Sequence, residues 1–414
     1  MFKPYIQSQH VLLEAQHIPD ACVKIYLRYL ENNGYSSKTI YKYLGAVVHF
    51  SRWQRQRGCL CTEATPNDKT RFIELHLANC QCPKGFTTCK KSIAAALSHW
   101  LREVCQRHVV PPDRTDSDRL VMAFDSYLKN VAGLSSATRL YRRRYAMEFL
   151  EWLSTKSSIQ LDSLTAENLS SFICQRAAEV SLASTTIIAC SLSCFLRFLS
   201  TQGLCQIKPA LCVPHPKLLY SLPTRKSLST AELNQLFSAI DRDNPVGKRD
   251  YAIMRCLSDL GLRTSDVANL RLNDIDWHNE VLTINSGKSR RQIKLPMPGL
   301  LMGALIDYIT DARPETQTHF IFVYHRAPFG KPVKTSTVRG VVRRAFVRAG
   351  FSLSQSQAHR LRHTLATRLL MNGTPLKIIA DVLGHQCVDT TTRYTYVSQK
   401  ALCSIGLPWP GRIA

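Results

Sequence analysis

Apolar side chains recur three and four residues apart at Tyr26, Tyr29 and Leu30, and again at Phe124, Tyr127 and Leu128. That spacing puts each triplet on one face of a helix and predicts two buried helical stripes. A hydroxyl-rich break follows each stripe, Ser36-Ser37-Lys38-Thr39 and Ser135-Ser136-Ala137-Thr138, where a side-chain oxygen can cap the next helix. Phe50-Ser51-Arg52-Trp53 and Phe149-Leu150-Glu151-Trp152 come next, then Leu97-Ser98-His99-Trp100-Leu101-Arg102 and Leu192-Ser193-Cys194-Phe195-Leu196-Arg197. The Tyr-Leu pairs lie 98 residues apart, the next two matches 99, and the last 95. Matches in one order predict two related helical modules, although generic amphipathic helices can also produce them.

The second half has a different pattern. Ile253, Cys256, Leu257 and Leu260 share one face of a helix over 248–260, and Gly261 is placed to end it. Val281–Ile284 and Gln292–Leu295 read as strands joined by the turn Ser286-Gly287-Lys288-Ser289. Ser229-Thr230-Ala231-Glu232 has the form of a capping box opening this region. Before it, Pro209, Pro214, Pro216 and Pro223 break any helix over 205–226. Lys208, Lys217, Arg225 and Lys226 make that linker basic, suited to lie along a phosphate backbone.

Charge sharpens the picture. The 414 residues hold 54 Lys and Arg against 30 Asp and Glu, a formal charge of +24 spread along the chain. Such an excess draws nucleic acid by counterion release, though solubility or non-specific RNA contact would also use it. The helix after the second hydroxyl break is basic at Arg139, Arg142, Arg143 and Arg144, which makes these candidate DNA contacts. The N-terminus lacks the apolar core of a signal peptide, and we expect no apolar stretch of membrane-spanning length. The 15 cysteines are therefore expected to be mostly reduced and buried in a cytoplasmic protein.

Candidate chemistry concentrates near the C-terminus. Arg263 sits in Gly-Leu-Arg-Thr-Ser-Asp, with Asp266 three residues on, and Lys288 in Ser-Gly-Lys-Ser. His359 and Arg362 share His-Arg-Leu-Arg-His and one helix face. His385 follows Leu-Gly, 23 residues after Arg362, and Tyr394 follows nine residues later in Arg-Tyr-Thr-Tyr-Val. Two arginines, a lysine, two histidines and a tyrosine suit gripping one phosphodiester while a hydroxyl attacks it. Each also has an ordinary reading: an Arg263–Asp266 surface ion pair, a basic turn at Lys288, a helix-end histidine at His385, a packed aromatic at Tyr394.

The order and spacing of these residues over roughly 225–400 resemble the tyrosine recombinases, the phage integrases and Xer-type enzymes. The resemblance implies a mainly α protein with an α+β catalytic domain carrying a small antiparallel sheet, preceded by helical DNA-binding modules. The organisation expected is a helical module over 1–110, a core-binding domain over 113–204, the basic linker 205–226, the catalytic domain 227–400 and a tail 401–414. It implies that Tyr394 attacks the scissile phosphate to form a 3′-phosphotyrosine. Arg263, Arg362, His359 and His385 would stabilise the charged transition state, Asp266 would hold Arg263, and Lys288 would protonate the departing 5′ oxygen. Relatives often carry histidine where Tyr396 stands, which leaves Tyr396 as a competing phenol. The resemblance further implies double-stranded DNA with specific sites as partner, a homo-tetramer on paired sites with room for accessory proteins, a nucleoid location, no membrane and no cofactor.

Other chemistries find less in the sequence. Asp274 and Asp276 are the nearest carboxylate pair for a two-metal nuclease and fall in a turn. No Walker-type phosphate loop occurs. Cys80, Cys82 and Cys89, near His76, are weak zinc candidates because Cys-x-Cys is not the usual ligand spacing. A type IB topoisomerase would use similar chemistry as a monomer, and a non-catalytic DNA-binding regulator could share the fold. The intact set of six residues favours the recombinase.

Overall fold

The computed structural model describes residues 9–82, 86, 88–105, 115–156, 161–206, 213–215, 227–285, 292–352 and 357–384. Among these, helices dominate and one small antiparallel sheet is present. By internal contacts the first module groups with the C-terminal domain, and the second module stands as its own unit.

The first module contains α1 (Gln9–Ala15), α2 (Asp20–Asn32), α3 (Ser37–Gln56), α4 (Pro66–Arg71) and α5 (Lys90–Trp100). Two of these helices run on into wider π turns, Phe72–His76 after α4 and Leu101–Cys105 after α5. Of the predicted stripe, Tyr26 and Leu30 are fully buried, in a core shared with Phe50, Phe72 and Trp100, while Tyr29 is half-buried at its edge. The second module contains α6 (Asp116–Asn130), α7 (Ser136–Ser154), α8 (Ala166–Glu179) and α9 (Leu182–Thr201) around Phe124, Leu128, Phe149, Phe172 and Phe195.

The two modules repeat one another in ring geometry. Phe50 lies 5.3 Å from Phe72, and Trp53 5.4 Å from Phe72. Phe149 lies 5.1 Å from Phe172, and Trp152 5.6 Å from Phe172. Tyr26 meets Trp100 edge-on at 5.3 Å, as Phe124 meets Phe195 at 5.0 Å. The local details differ. Ser135 caps α7 by accepting from the Thr138 amide, whereas Ser36 bonds only sideways to the Thr39 hydroxyl.

One expectation is corrected here. Helix α9 is, by length and composition, apolar enough to cross a membrane. Its serines and threonines disguise this in the sequence, and three of them bond back to the helix backbone: Thr185 to the Ser181 carbonyl, Thr186 to Leu182 and Ser191 to Ile187. Its apolar side chains Ile188, Leu192, Phe195 and Leu199 fill the module's core. The cysteines also divide. Cys22, Cys61, Cys105, Cys205 and Cys256 are buried, but Cys59, Cys89, Cys174 and Cys190 are exposed.

Most of the linker, with Lys217, Arg225 and Lys226, lies outside the described residues. Its described parts include Cys205 and Val213, both buried in the second module's core.

The C-terminal domain opens on α10 (Thr230–Ser238), where Ser229 and Glu232 form the reciprocal capping box. Then come α11 (Pro245–Asp259), α12 (Thr264–Asn269), β1 (Ile275–Asp276), β2 (Val281–Asn285), β3 (Gln292–Pro296), α13 (Gly299–Asp311), α14 (Thr335–Arg348), α15 (Ala358–Met371) and α16 (Leu376–Leu383). The antiparallel sheet runs β1-β2-β3, with Leu282 opposite Leu295 and Ile284 opposite Ile293. The two-residue β1 is too short to leave a periodic signal, and its Asp276 belongs to that strand and not to a turn. Helix α11 is the hub, nearly encircled by core and packed on α13, α14 and α15.

Candidate active site

Three chain ends of the C-terminal domain meet around two arginines. Gly261 follows α11 with φ at +61°, a left-handed conformation in which glycine carries no side-chain penalty. Arg263 comes two residues later as the N-cap of α12. Gly384 closes α16 in the same left-handed region, with φ at +60°.

Arg362 projects from α15 and is buried, 5% exposed. Its Nη1 donates to the Gly261 carbonyl at 2.7 Å, and its Nη2 donates to the Leu383 carbonyl. Arg263 is half-buried, and its Nη2 donates to the Gly384 carbonyl at 3.0 Å. Both guanidinium groups are thus held by carbonyls at helix C-termini, where the helix dipole favours positive charge. A side chain at either glycine would have to push a neighbouring methyl group aside. A Cβ on Gly261 would sit 2.9 Å from Leu365 and Leu383, and one on Gly384 would sit 2.6 Å from Ile293.

Asp266 lies in the first turn of α12, 3.8 Å from Arg263 and nearly buried. Burial raises its carboxyl above the usual carboxylate range, and this outweighs the opposing pull of Arg263 and Arg362. The contact with Arg263 is long, so Asp266 acts as a partly desolvated neighbour more than as a tight ion pair.

Arg263, His359 and Arg362 line one open cavity of about 500 Å³ with Thr264, Ser265 and Thr335. His359 is exposed at the start of α15, one turn before Arg362. His363 is half-buried and pairs with the Thr367 hydroxyl, a packing role. Arg339 also lines the cavity, from α14, and sequence reasoning missed it. The available signal was a basic series, Arg339, Arg343 and Arg344, on a helix whose other face is Val338, Val341, Val342 and Phe346. Lys288, His385 and Tyr394 lie outside the described residues, as does Tyr396.

The candidate DNA arginines of α7 are engaged inside the second module. Arg139 grips Asp125 through two bonds of 2.9 Å, and Arg143 lies 3.9 Å from the same carboxylate. Arg144 pairs with Glu148, and Arg142 donates to the Cys190 carbonyl at 3.4 Å. Of the cysteine candidates, Cys80 and Cys82 come together with His76 and with His49, a residue the sequence did not single out. Cys89 is exposed at the N-cap of α5 and stands outside this group.

The chain resembles known proteins along much of its length. Residues 226–401 match the model of the phage integrase family. Putative integrase/recombinase y4rF of Sinorhizobium fredii is 33% identical over 339 residues, which cover 80% of this chain and 79% of that protein. The y4rA protein of the same organism is 29% identical and covers 95% of this chain and 96% of that one. The crystal structure of XerH site-specific recombinase bound to a palindromic substrate shares the fold, with a TM-score of 0.54 over 89% of this chain and 95% of that one at 15% identity. With a relative of this identity spanning most of both chains, the protein belongs to the phage integrase family and is a tyrosine site-specific recombinase.

Proposed function

We propose that this chain cuts and rejoins double-stranded DNA at specific sites through a 3′-phosphotyrosine on Tyr394, moving a mobile element by integration, excision or transposition. The observation that carries the reading is the single cavity shared by Arg263, His359 and Arg362, with both arginines pre-set by helix-end carbonyls. Charge arranged before the substrate arrives stabilises a phosphorane without reorganisation during the reaction. The phenol of Tyr394 attacks phosphorus, and the bond to the 5′ oxygen breaks. Lys288 gives that oxygen its proton, and His359 and His385 hydrogen-bond the non-bridging oxygens. The attacking phenol, with an ordinary pKa of ~10, gives up its proton to solvent and depends on this positive surround for that ionisation. The phosphotyrosine conserves the bond energy, so rejoining is the same step in reverse and no cofactor is required.

Arg339 joins this set as a further contact to the DNA backbone beside the scissile phosphate. Lys217, Arg225 and Lys226 in the linker, and the surface of α7 around Arg142 and Arg143, are assigned to phosphate contacts flanking the site. The proposed division of labour is 1–110 as an additional module, 113–204 as the core-binding domain and 227–400 as the catalytic domain. The assembly is a homo-tetramer on two paired sites, with the tail 401–414 exchanged between protomers, working at the nucleoid in the cytoplasm.

A suicide substrate nicked next to the cleavage point tests the central claim. The unaltered chain should form a covalent adduct, also in EDTA, and Tyr394→Phe should bind the DNA but form none. An adduct that survives Tyr394→Phe and disappears with Tyr396→Phe would overturn the assignment. Magnesium-dependent cleavage without an adduct would make the chain a nuclease.

A further inference from the structure

Four side chains of the first module converge on a point that the recombination chemistry does not use. His49 comes from the middle of α3 and is fully buried. His76 closes the π turn Phe72–His76, and Cys80 and Cys82 follow in the next loop. The Nε2 atoms of the two histidines lie 3.1 Å apart. Cys80 Sγ lies 3.4 Å from His49 Nε2, and Cys82 Sγ lies 3.6 Å from His76 Nε2. All four atoms fall within 4.8 Å of one another.

Three of these distances match edges of a coordination tetrahedron, and the remaining three stay within 4.8 Å. With zinc bonds of about 2.3 Å to sulfur and 2.0–2.1 Å to nitrogen, the edges come to ~3.3 Å between nitrogens and ~3.6 Å between nitrogen and sulfur. Two thiolates and two imidazoles form a set suited to zinc and of the closed, structural kind. The rings are held by aromatic packing. His76 stacks on Phe72 at 5.0 Å, and His49 meets Phe72 at 5.1 Å and Phe86 at 5.0 Å. The backbone also contributes, since the π turn carries an extra residue where a side chain has to be re-aimed.

The internal repeat gives an independent control. His49 immediately precedes Phe50, as Glu148 precedes Phe149. His76 lies four residues after Phe72, as Arg176 lies four after Phe172. In the second module these two places hold an ion pair, Arg176 to Glu148 at 3.2 Å, and α8 continues unbroken to Glu179. In the first module the same two places hold imidazoles, the helix stops, and the next six residues bring in two cysteines. One cross-brace between equivalent helices has been exchanged for another with ligand chemistry.

We propose that His49, His76, Cys80 and Cys82 bind one structural zinc ion that pins the loop after the π turn to α3. Binding converts both thiols to thiolates and releases two protons to solvent, and it leaves the centre neutral. Purified full-length chain, made without chelators and without a histidine tag, should contain about one zinc per molecule by elemental analysis. Cys80→Ser with Cys82→Ser, and separately His49→Gln, should lower this at least ~10-fold, whereas Cys89→Ser should leave it unchanged. Cobalt added to the metal-free full chain should give the intense visible bands of a tetrahedral ion and a thiolate charge-transfer band, a readout that needs no variant to fold. Less than a tenth of a zinc per chain together with no tetrahedral cobalt spectrum would overturn the proposal. Metal retained in the double cysteine variant, or lost in Cys89→Ser, would overturn the ligand set.

Discussion

The buried guanidinium of Arg362 is fixed by the Gly261 carbonyl, 2.7 Å from its Nη1, so the second arginine of the site is positioned by the residue that ends α11. Arg362→Ala and Arg263→Ala should each lower the rate of covalent adduct formation by at least ~100-fold, the scale of losing one pre-set charge-stabilising donor. Lysine should rescue poorly at either position, because an ammonium cannot span two acceptors as the planar fork does. Near-normal cleavage by Arg263→Lys would remove the clamp from the account.

The glycines should prove as demanding as the arginines. Gly261→Ala and Gly384→Ala each place a Cβ at left-handed φ, at a cost of about 1–2 kcal/mol before any clash. Both also crowd packed side chains, Leu383 beside Gly261 and Ile293 beside Gly384. We expect lower thermal stability together with a fall in cleavage larger than the fall in DNA affinity. A variant that cleaves normally at either position would show that the site tolerates a Cβ there and does not require that glycine.

His325 sets a pH limit on stability. Burial, with the neighbouring Arg249 charge second, lowers its imidazole to about 4, and its Nε2 is buried without a hydrogen-bond partner among the described residues. Between about pH 4 and the ordinary value of 6.5, the unfolded chain therefore binds a proton that the folded chain refuses. Stability should rise with pH across this window and be lost as pH falls through it. His325→Phe should flatten that part of the melting-temperature profile, and a profile of unchanged slope would rule out His325 as a contributor.

The first module touches the catalytic domain through the amide of Phe329, which donates to the Asn33 carbonyl at 3.1 Å, and through Gly34, which faces the Phe329 side chain. A chain starting at Asp113 loses both contacts. It should still fold and bind a single site, with a shorter footprint and lower affinity. An insoluble fragment, or an unchanged footprint, would end the idea of a separable module.

Much of the site was written in local signals. Gly261 and Gly384 mark helix ends, Ser229 and Glu232 mark a start, and Arg263 and Arg362 sit at fixed distances from these marks. Contacts between distant segments were not legible. A single histidine on the apolar face of α3 reads as core, and only the fold brings residues 76, 80 and 82 to it. Arg139 reads as an available cation until Asp125, fourteen positions earlier, turns out to hold it. Arg339 belongs to a helix whose basic stripe could face anywhere until α12 packs beside it and the cavity shared with α15 forms. The apolar character of α9 was hidden because its hydroxyls count as polar in a list, although those of Thr185, Thr186 and Ser191 are satisfied by the helix backbone itself.

The bond from Arg263 to the Gly384 carbonyl joins two tasks in one side chain. Gly384 is the last residue before the stretch that begins with His385 and contains Tyr394. On the proposed roles, the group that would grip the phosphate also holds the residue from which the sequence runs on to Tyr394. By reciprocity, whatever restrains the residues that follow Gly384, a neighbouring protomer included, should then alter how tightly the phosphate is gripped. Such an arrangement would let occupancy of one cleavage centre be reported mechanically to the next, with no separate messenger residue.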